Sequence, residues 1–288
     1  MTKISPAIRI SPATKTWFIT GTSSGFGRLL TERLLARGDR VAATVRKPDA
    51  LAGLKADYGD RLWIASLDVT DTEAIRRTVD KAFHDLGRID VIVSNAGYGL
   101  FGAAEELDDD QIRDLIDTNL IGSIQLIRAV LPYLRKQGSG RILQISSEGG
   151  QMAYPGFSLY HATKWGIEGF VESARQEVAP FGIAFTIVEP GPTRTNFAAG
   201  LVSAKPTDAY VNTPVGDLRR AFAEGSFEVK GNAQKMVEAM VASVEQNPAP
   251  RRLTFGAAAY ASISSALQGR LAELEAQRDI ALSMDFDR

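Results

Sequence analysis

Apolar and polar positions along this 288-residue chain follow two alternating rhythms. Short runs rich in β-branched and aromatic residues, at 16–20, 41–45, 62–65, 90–93, 141–145, 183–188 and 252–255, read as strands. Within the run 90–93, Val91-Ile92-Val93 is unbroken in its apolar character, as expected of a strand buried on both faces. Between the strands lie stretches with helical spacing. One carries Leu29, Leu30, Leu34 and Leu35 and stops at Gly38; another opens on Asp71, a natural N-cap, and runs to about Leu86. A long amphipathic helix is predicted over 108–136, one from Tyr160 to about Ala179, and one over 232–246. Strands alternating with helices imply βαβ units and a parallel sheet. The predicted class is α/β: one doubly wound domain over 1–288, with a mostly parallel seven-stranded sheet and helices on both faces. Residues 1–14 read as an extended arm. The stretch 194–229 reads as an irregular excursion of the kind that serves as a lid. Residues 256–288 read as a helical tail, for which packing or oligomer contact is the expectation.

Composition narrows the classes of function. Net charge is −1, so nothing favours nucleic acid or an anionic membrane as the main partner. The absence of cysteine removes disulfides, thiolate metal sites and cysteine nucleophiles, and only two histidines, His84 and His161, are present, so no metal site is expected. No apolar run is long enough to span a bilayer. Residues 1–15 contain two prolines and no long apolar core, unlike a signal peptide, so a cytoplasmic location is the default.

The chemistry concentrates at strand ends. After the first run comes Gly21-Thr22-Ser23-Ser24-Gly25-Phe26-Gly27, then a helix. This is a strand, glycine-rich turn and helix in which close backbone approach allows a pyrophosphate to meet the helix N-terminus. The second run ends at Val45, where a carboxylate would favour NAD; Arg46 and Lys47 follow instead and suit the 2′-phosphate of NADP. The alternative is a pair of solvated surface cations. The fourth run ends in Ser94-Asn95-Ala96-Gly97, and Asn119 stands among apolar neighbours in the long helix, so it is either buried with partners or functional. In Tyr160-His161-Ala162-Thr163-Lys164 a phenol and an ammonium stand one helical turn apart. A cation so placed can stabilise the phenolate. Bringing a tyrosine from ~10 to neutrality asks for about 4 kcal/mol. The alternative is a half-buried tyrosine beside a solvated lysine.

Together Thr20-Gly21-x-x-x-Gly25-x-Gly27, Asp68, Asn95-Ala96-Gly97, Asn119, Ser147, Tyr160-x-x-x-Lys164 and Pro190-Gly191 resemble the short-chain dehydrogenase/reductase family. Ser147 precedes Tyr160 by the family's usual interval. The stretch from Asn95 to Gly102 with Thr44-Val45-Arg46 looks most like its 17-beta-hydroxysteroid and retinol dehydrogenase-like branch. Ser94 stands where the family often has a second asparagine, a departure of little expected effect.

The resemblance implies a Rossmann-type fold and a catalytic set of Asn119, Ser147, Tyr160 and Lys164. Tyr160 would be the general acid/base, and Lys164 would hold the nicotinamide ribose and depress the tyrosine pKa. Ser147 would hydrogen-bond the substrate oxygen, and Asn119 would hold a relay water. The cofactor, NADP(H) in preference to NAD(H), would be held by residues 21–27, Arg46, Asp68, Val69, Asn95, Ala96, Gly97, Tyr160, Lys164, Pro190, Gly191 and Thr193. Ser147, Tyr98, Phe101, Met152, Tyr154, Phe157, Phe197 and Leu201 are candidate pocket residues, and their apolar character suggests a hydrophobic ketone or secondary alcohol. A homodimer or homotetramer is implied. The competing readings are a 3-oxoacyl thioester reductase, an NADP-sensing protein without turnover, and an extended-type nucleotide-sugar enzyme.

Overall fold

The computed structural model describes residues 14–195, 197 and 200–286, so almost all of the expected arm lies outside the described residues. The strands are β1 (Thr16–Thr20), β2 (Arg40–Val45), β3 (Leu62–Ser66), β4 (Val91–Ser94), β5 (Leu100–Phe101), β6 (Gly140–Ile145), β7 (Ile183–Pro190), β8 (Val202–Ser203) and β9 (Arg252–Phe255). Seven form one sheet in the order β3-β2-β1-β4-β6-β7-β9, parallel throughout. Strand order reverses between β1 and β4, and it is at such a switch point that an open α/β sheet offers its ligand crevice.

The period-two alternation of the strands feeds two cores. Trp17, Ile19, Val41 and Val93 face one side, against α1 (Gly25–Arg37) and α8 (Ala233–Ser243) through Leu30, Leu34, Val237 and Met240. Phe18, Ala42, Ile92 and Ile142 face the other. They pack on α3 (Thr72–Leu86), α5 (Gly122–Gln137) and α6 (Ser158–Val178) through Ile75, Val79, Ile127, Val130, Ile167 and Val171. Asp71 caps α3 by accepting from Ala74 N at 2.9 Å, as its position in the sequence implies.

Three features depart from the sequence-based expectation. A short helix, α2 (Ala52–Tyr58), lies between β2 and β3. The long helix over 108–136 is not continuous: α4 (Asp109–Ile116) passes into a π-turn, Asp117–Ile121, before α5, and Gly122 N donates to Asp117 O five residues back. The π-turn is centred on Asn119, and π-bulges often mark functional positions. A Cβ on Gly122 would lie 2.7 Å from Val69 O, so glycine lets the helix approach the end of β3. Finally, the excursion after β7 holds a ten-residue helix, α7 (Pro214–Ala223), and β8 pairs in parallel with β5.

That excursion is tied down by Glu106. Its carboxylate accepts from Thr207 N at 2.7 Å, from Ala103 N at 2.9 Å and from Arg219 at 2.6 Å. Burial alone would raise its pKa, but these hydrogen bonds outweigh burial and hold it below the usual carboxylate range. At the C-terminal end, α9 (Ala257–Ala276) buries Ala259 and Ile263, while Leu267, Leu271 and Leu274 are exposed; α10 (Arg278–Leu282) follows. Among the described residues no helix is long and apolar enough to cross a membrane.

Candidate active site

The glycine turn is shaped by close approach. Gly21 has φ +70°, and a Cβ there would lie 2.9 Å from Ala96 Cα; a Cβ on Gly27 would overlap Gly21 O. Asn95 welds this turn to the end of β4. Its Nδ2 donates to Thr20 O (2.8 Å) and Gly21 O (3.1 Å), while the N–H groups of Asn95 and Ala96 donate to Thr20 Oγ1. Thr22 is buried and its hydroxyl donates to Thr44 O, so it holds the turn on β2, whereas Ser23 and Ser24 are exposed. Helix α1 has no acidic residue in its first turn, and the Ser24 side chain does not cap it. Among the described residues, the first-turn N–H groups therefore have no side-chain acceptor, which fits a bound pyrophosphate.

At the end of β2, Val45 is buried and Arg46 exposed. Asp68, beyond β3, accepts from Thr70 N and Oγ1 at 3.0 and 2.8 Å. The Thr70 N–H is the main cause that holds the Asp68 carboxyl below its usual range; burial opposes it, and the Thr70 hydroxyl and Arg46 add to it. Arg46 and Asp68 thus share the rim beside the glycine turn, where an adenosine would lie. At the end of β7, Gly191 N donates to Phe255 O, and the Thr193 hydroxyl donates to Gly191 O at 2.7 Å.

Ser147, Tyr160 and Lys164 converge at the C-terminal end of β6, all buried. Lys164 Nζ donates to Ile145 O at 3.1 Å and lies 5.6 Å from the centroid of the Tyr160 ring. The expectation that Lys164 acidifies the phenol is not met here. Burial pushes Tyr160 up to about 12; the Ser147 hydroxyl draws it back, and the Glu148 charge pushes it further up. Burial likewise lowers Lys164 to about 8, partly offset by Glu168. Helical spacing alone carries no information on this desolvation.

Asn119 is buried with partners. Its Oδ1 accepts from Tyr98 N at 3.0 Å and its Nδ2 donates to Tyr98 O at 2.9 Å, so its amide fixes the loop after Gly97. Tyr154 packs edge-on against Phe157 and Phe157 lies tilted against Phe101, with ring centroids 5.2 and 5.3 Å apart, and Phe222 of α7 meets Phe101 edge-on at 5.2 Å. Phe197 reaches Tyr160 at 5.9 Å, and Phe197 and Leu201 pack over Gly99. Phe101 is buried beneath this wall. Met152 lies outside the aromatic cluster, its carbonyl accepting from the Trp165 indole.

Two buried groups escaped the sequence reading. His161 accepts at Nε2 from Tyr154 N (3.2 Å), which puts its ring proton on Nδ1, donating to Gly149 O (2.9 Å). It therefore braces the segment that follows Ser147; it stands inside the Tyr160–Lys164 motif, yet nothing in the sequence indicates what it would touch. Glu168, one turn beyond Lys164, accepts from Ser146 at 2.6 Å, from Gln151 and from Arg252. Arg252 also bonds Glu189 at 2.8 Å and Glu172, joining β9, β7 and α6 behind the site.

Comparison with known proteins places the chain in a family. The family model for short chain dehydrogenases matches residues 15–206. The chain is 36% identical over 271 residues to the oxidoreductase BOA17 of Botryotinia fuckeliana, covering 94% of this chain and 99% of that one. A solved short-chain dehydrogenase from Streptomyces avermitilis is 39% identical, with a TM-score of 0.87 over 94% of this chain and 100% of its own. The closed form of a serine dehydrogenase complexed with NADP+ is 29% identical, with a TM-score of 0.71 over 83% of this chain and 93% of its own. The chain belongs to the short-chain dehydrogenase/reductase family of NAD(P)-dependent oxidoreductases.

Proposed function

We propose that this protein interconverts a ketone and its secondary alcohol with NADP(H), using Tyr160 as general acid/base. The observation that carries the reading is the convergence of Ser147, Tyr160 and Lys164 at the end of β6, on the same sheet edge as the glycine turn. NADP(H) when bound supplies or accepts the hydride and, in its oxidised form, brings a positive ring. Residues 21–27 hold its pyrophosphate, Arg46 its 2′-phosphate, and Asp68 with Val69 its adenine side. Asn95, Ala96, Gly97, Pro190, Gly191 and Thr193 flank the nicotinamide half. The NADP+-bound relative and the cationic Arg46 beside a strand end without a carboxylate both support NADP(H) over NAD(H).

The Ser147 hydroxyl and the Tyr160 phenol hydrogen-bond the substrate oxygen. In the reductive direction Tyr160 gives its proton to that oxygen. Its raised pKa keeps the phenol protonated at neutral pH, which suits the acid role; the oxidative direction needs the phenolate and so gains with rising pH. Lys164, anchored on Ile145 O, keeps its donors beside the phenol. Asn119 acts as a positioning residue through the Tyr98 backbone. Tyr98, Tyr154, Phe157 and Phe197 form an apolar wall for the substrate.

A panel of bulky ketones, small ketones and 3-oxoacyl thioesters, followed by NADPH and NADH absorbance, tests the reading. Reduction of bulky ketones with NADPH is expected. Preference for thioesters would assign the competing substrate class. Binding of NADPH with no turnover of any member would contradict an enzymatic role.

A further inference from the structure

The chemistry proposed above leaves one buried carboxyl unused. Glu148 follows Ser147 directly and opens the short turn Glu148–Gly150. It is 6% exposed, and its Oε2 has no hydrogen-bond partner among the described residues. The other buried carboxylates behind the site are satisfied: Glu168 by Ser146, Gln151 and Arg252, and Glu189 by Arg252 and Thr254.

Its neighbours fix where the Glu148 carboxyl sits. A Cβ built on Gly191 would lie 3.4 Å from Oε2, so the carboxyl rests against the turn that ends β7. Its charge acts on the phenols of both Tyr160 and Tyr154. It therefore follows Ser147 directly in the chain and rests against the Pro190–Gly191 turn, both of which the proposed reaction uses. Burial raises its own pKa, as expected where no donor offsets desolvation.

A wholly apolar substrate would leave this buried carboxyl without any partner, which is costly. A neutral hydroxyl on the substrate would supply a hydrogen bond but leave the charge uncompensated. A protonated amine supplies both. We propose that Glu148 is a substrate-binding residue and that the substrate carries a protonated amine close to the reacting carbon: an amino ketone, or in the reverse direction an amino alcohol, with its apolar remainder against Phe157 and Phe222. The proposal rests on the oxidoreductase reading and names its substrate class.

The test uses the purified protein with NADP+ and three alcohols of one chain length: a vicinal amino alcohol, the matching diol and the plain secondary alcohol. Wild-type protein and Glu148→Gln are compared by NADPH absorbance, with the NADP+ dissociation constant measured in parallel. In the wild type, kcat/KM for the amino alcohol is expected to exceed that for the plain alcohol by roughly 10- to 100-fold, the range for a hydrogen bond to a charged group. In Glu148→Gln that ratio is expected to collapse, mainly through KM. An unchanged ratio in the variant overturns the proposal. So does a diol preferred as strongly as the amine, or a variant that loses NADP+ affinity in place of the amine preference, since the carboxyl then serves the cofactor. Should the variant not fold, the wild-type ranking still decides, because no preference for the amine overturns the proposal. Turnover of plain alcohols without amine preference leaves the oxidoreductase reading standing, whereas failure of all three alcohols and of the ketone panel overturns both.

Discussion

At the scale of single residues, the site is a set of side chains whose behaviour depends on desolvation as much as on spacing. The Tyr160–Lys164 interval was legible because helical geometry fixes it. The direction of the phenol's pKa was not, because it depends on burial against Phe157 and Phe197 and on the Glu148 charge, none of which the interval encodes. Glu148 and His161 were equally opaque, since their contacts come from segments brought together only by the fold. Arg46 is the opposite case: an exposed cation just past a buried strand end can be read from the pattern alone. If it meets the 2′-phosphate, Arg46→Ala should weaken NADPH by about 1.5–3 kcal/mol, with little change for NADH. Titration of both cofactors by fluorescence checks this, and equal losses would remove the phosphate contact.

At the scale of elements, strands and amphipathic helices were legible from periodicity, and the order of motifs at strand ends followed. The π-turn at Asp117–Ile121 was hidden because one extra residue per turn barely disturbs an apolar stripe. Helix α7 was hidden among glycines and prolines, and Glu106 lay in an acidic run that reads as solvated surface. Glu106 instead joins the segment before α4 to Thr207 and Arg219. Its folded-state pKa is depressed, so its contribution is complete above the ordinary glutamate value of about 4.3 and is lost as pH falls through the folded value. Glu106→Gln at pH 7 should mimic that loss. Limited proteolysis within 200–229 is expected to accelerate and substrate KM to rise roughly 10-fold, as for one lost charged hydrogen bond. Cleavage at the wild-type rate would mean that other contacts hold the excursion.

At the scale of the whole molecule, a parallel sheet whose order reverses between β1 and β4 gathers residues from 20 to 193 at one edge, while the Arg252 cluster ties β9 and β7 to α6 behind them. That gathering has a cost in stability. Lys164 is lowered from 10.5 to about 8 by burial, which corresponds to about 3 kcal/mol against the folded state below pH 8. Between about pH 8 and 10.5 the unfolded chain binds the extra proton, so stability from this group rises with pH across that window. Lys164→Met should therefore raise Tm at pH 7 while impairing turnover, and its advantage should shrink toward pH 10. A lower Tm at pH 7 would show that the bond to Ile145 O outweighs the buried charge. The most direct test of the proposed chemistry is the turnover number of Tyr160→Phe measured beside its NADPH dissociation constant. The expected result is loss of turnover by a factor of about 10² or more, the scale of general acid–base catalysis, with NADPH still bound. Turnover close to wild type would contradict the role given to the phenol and the function built on it.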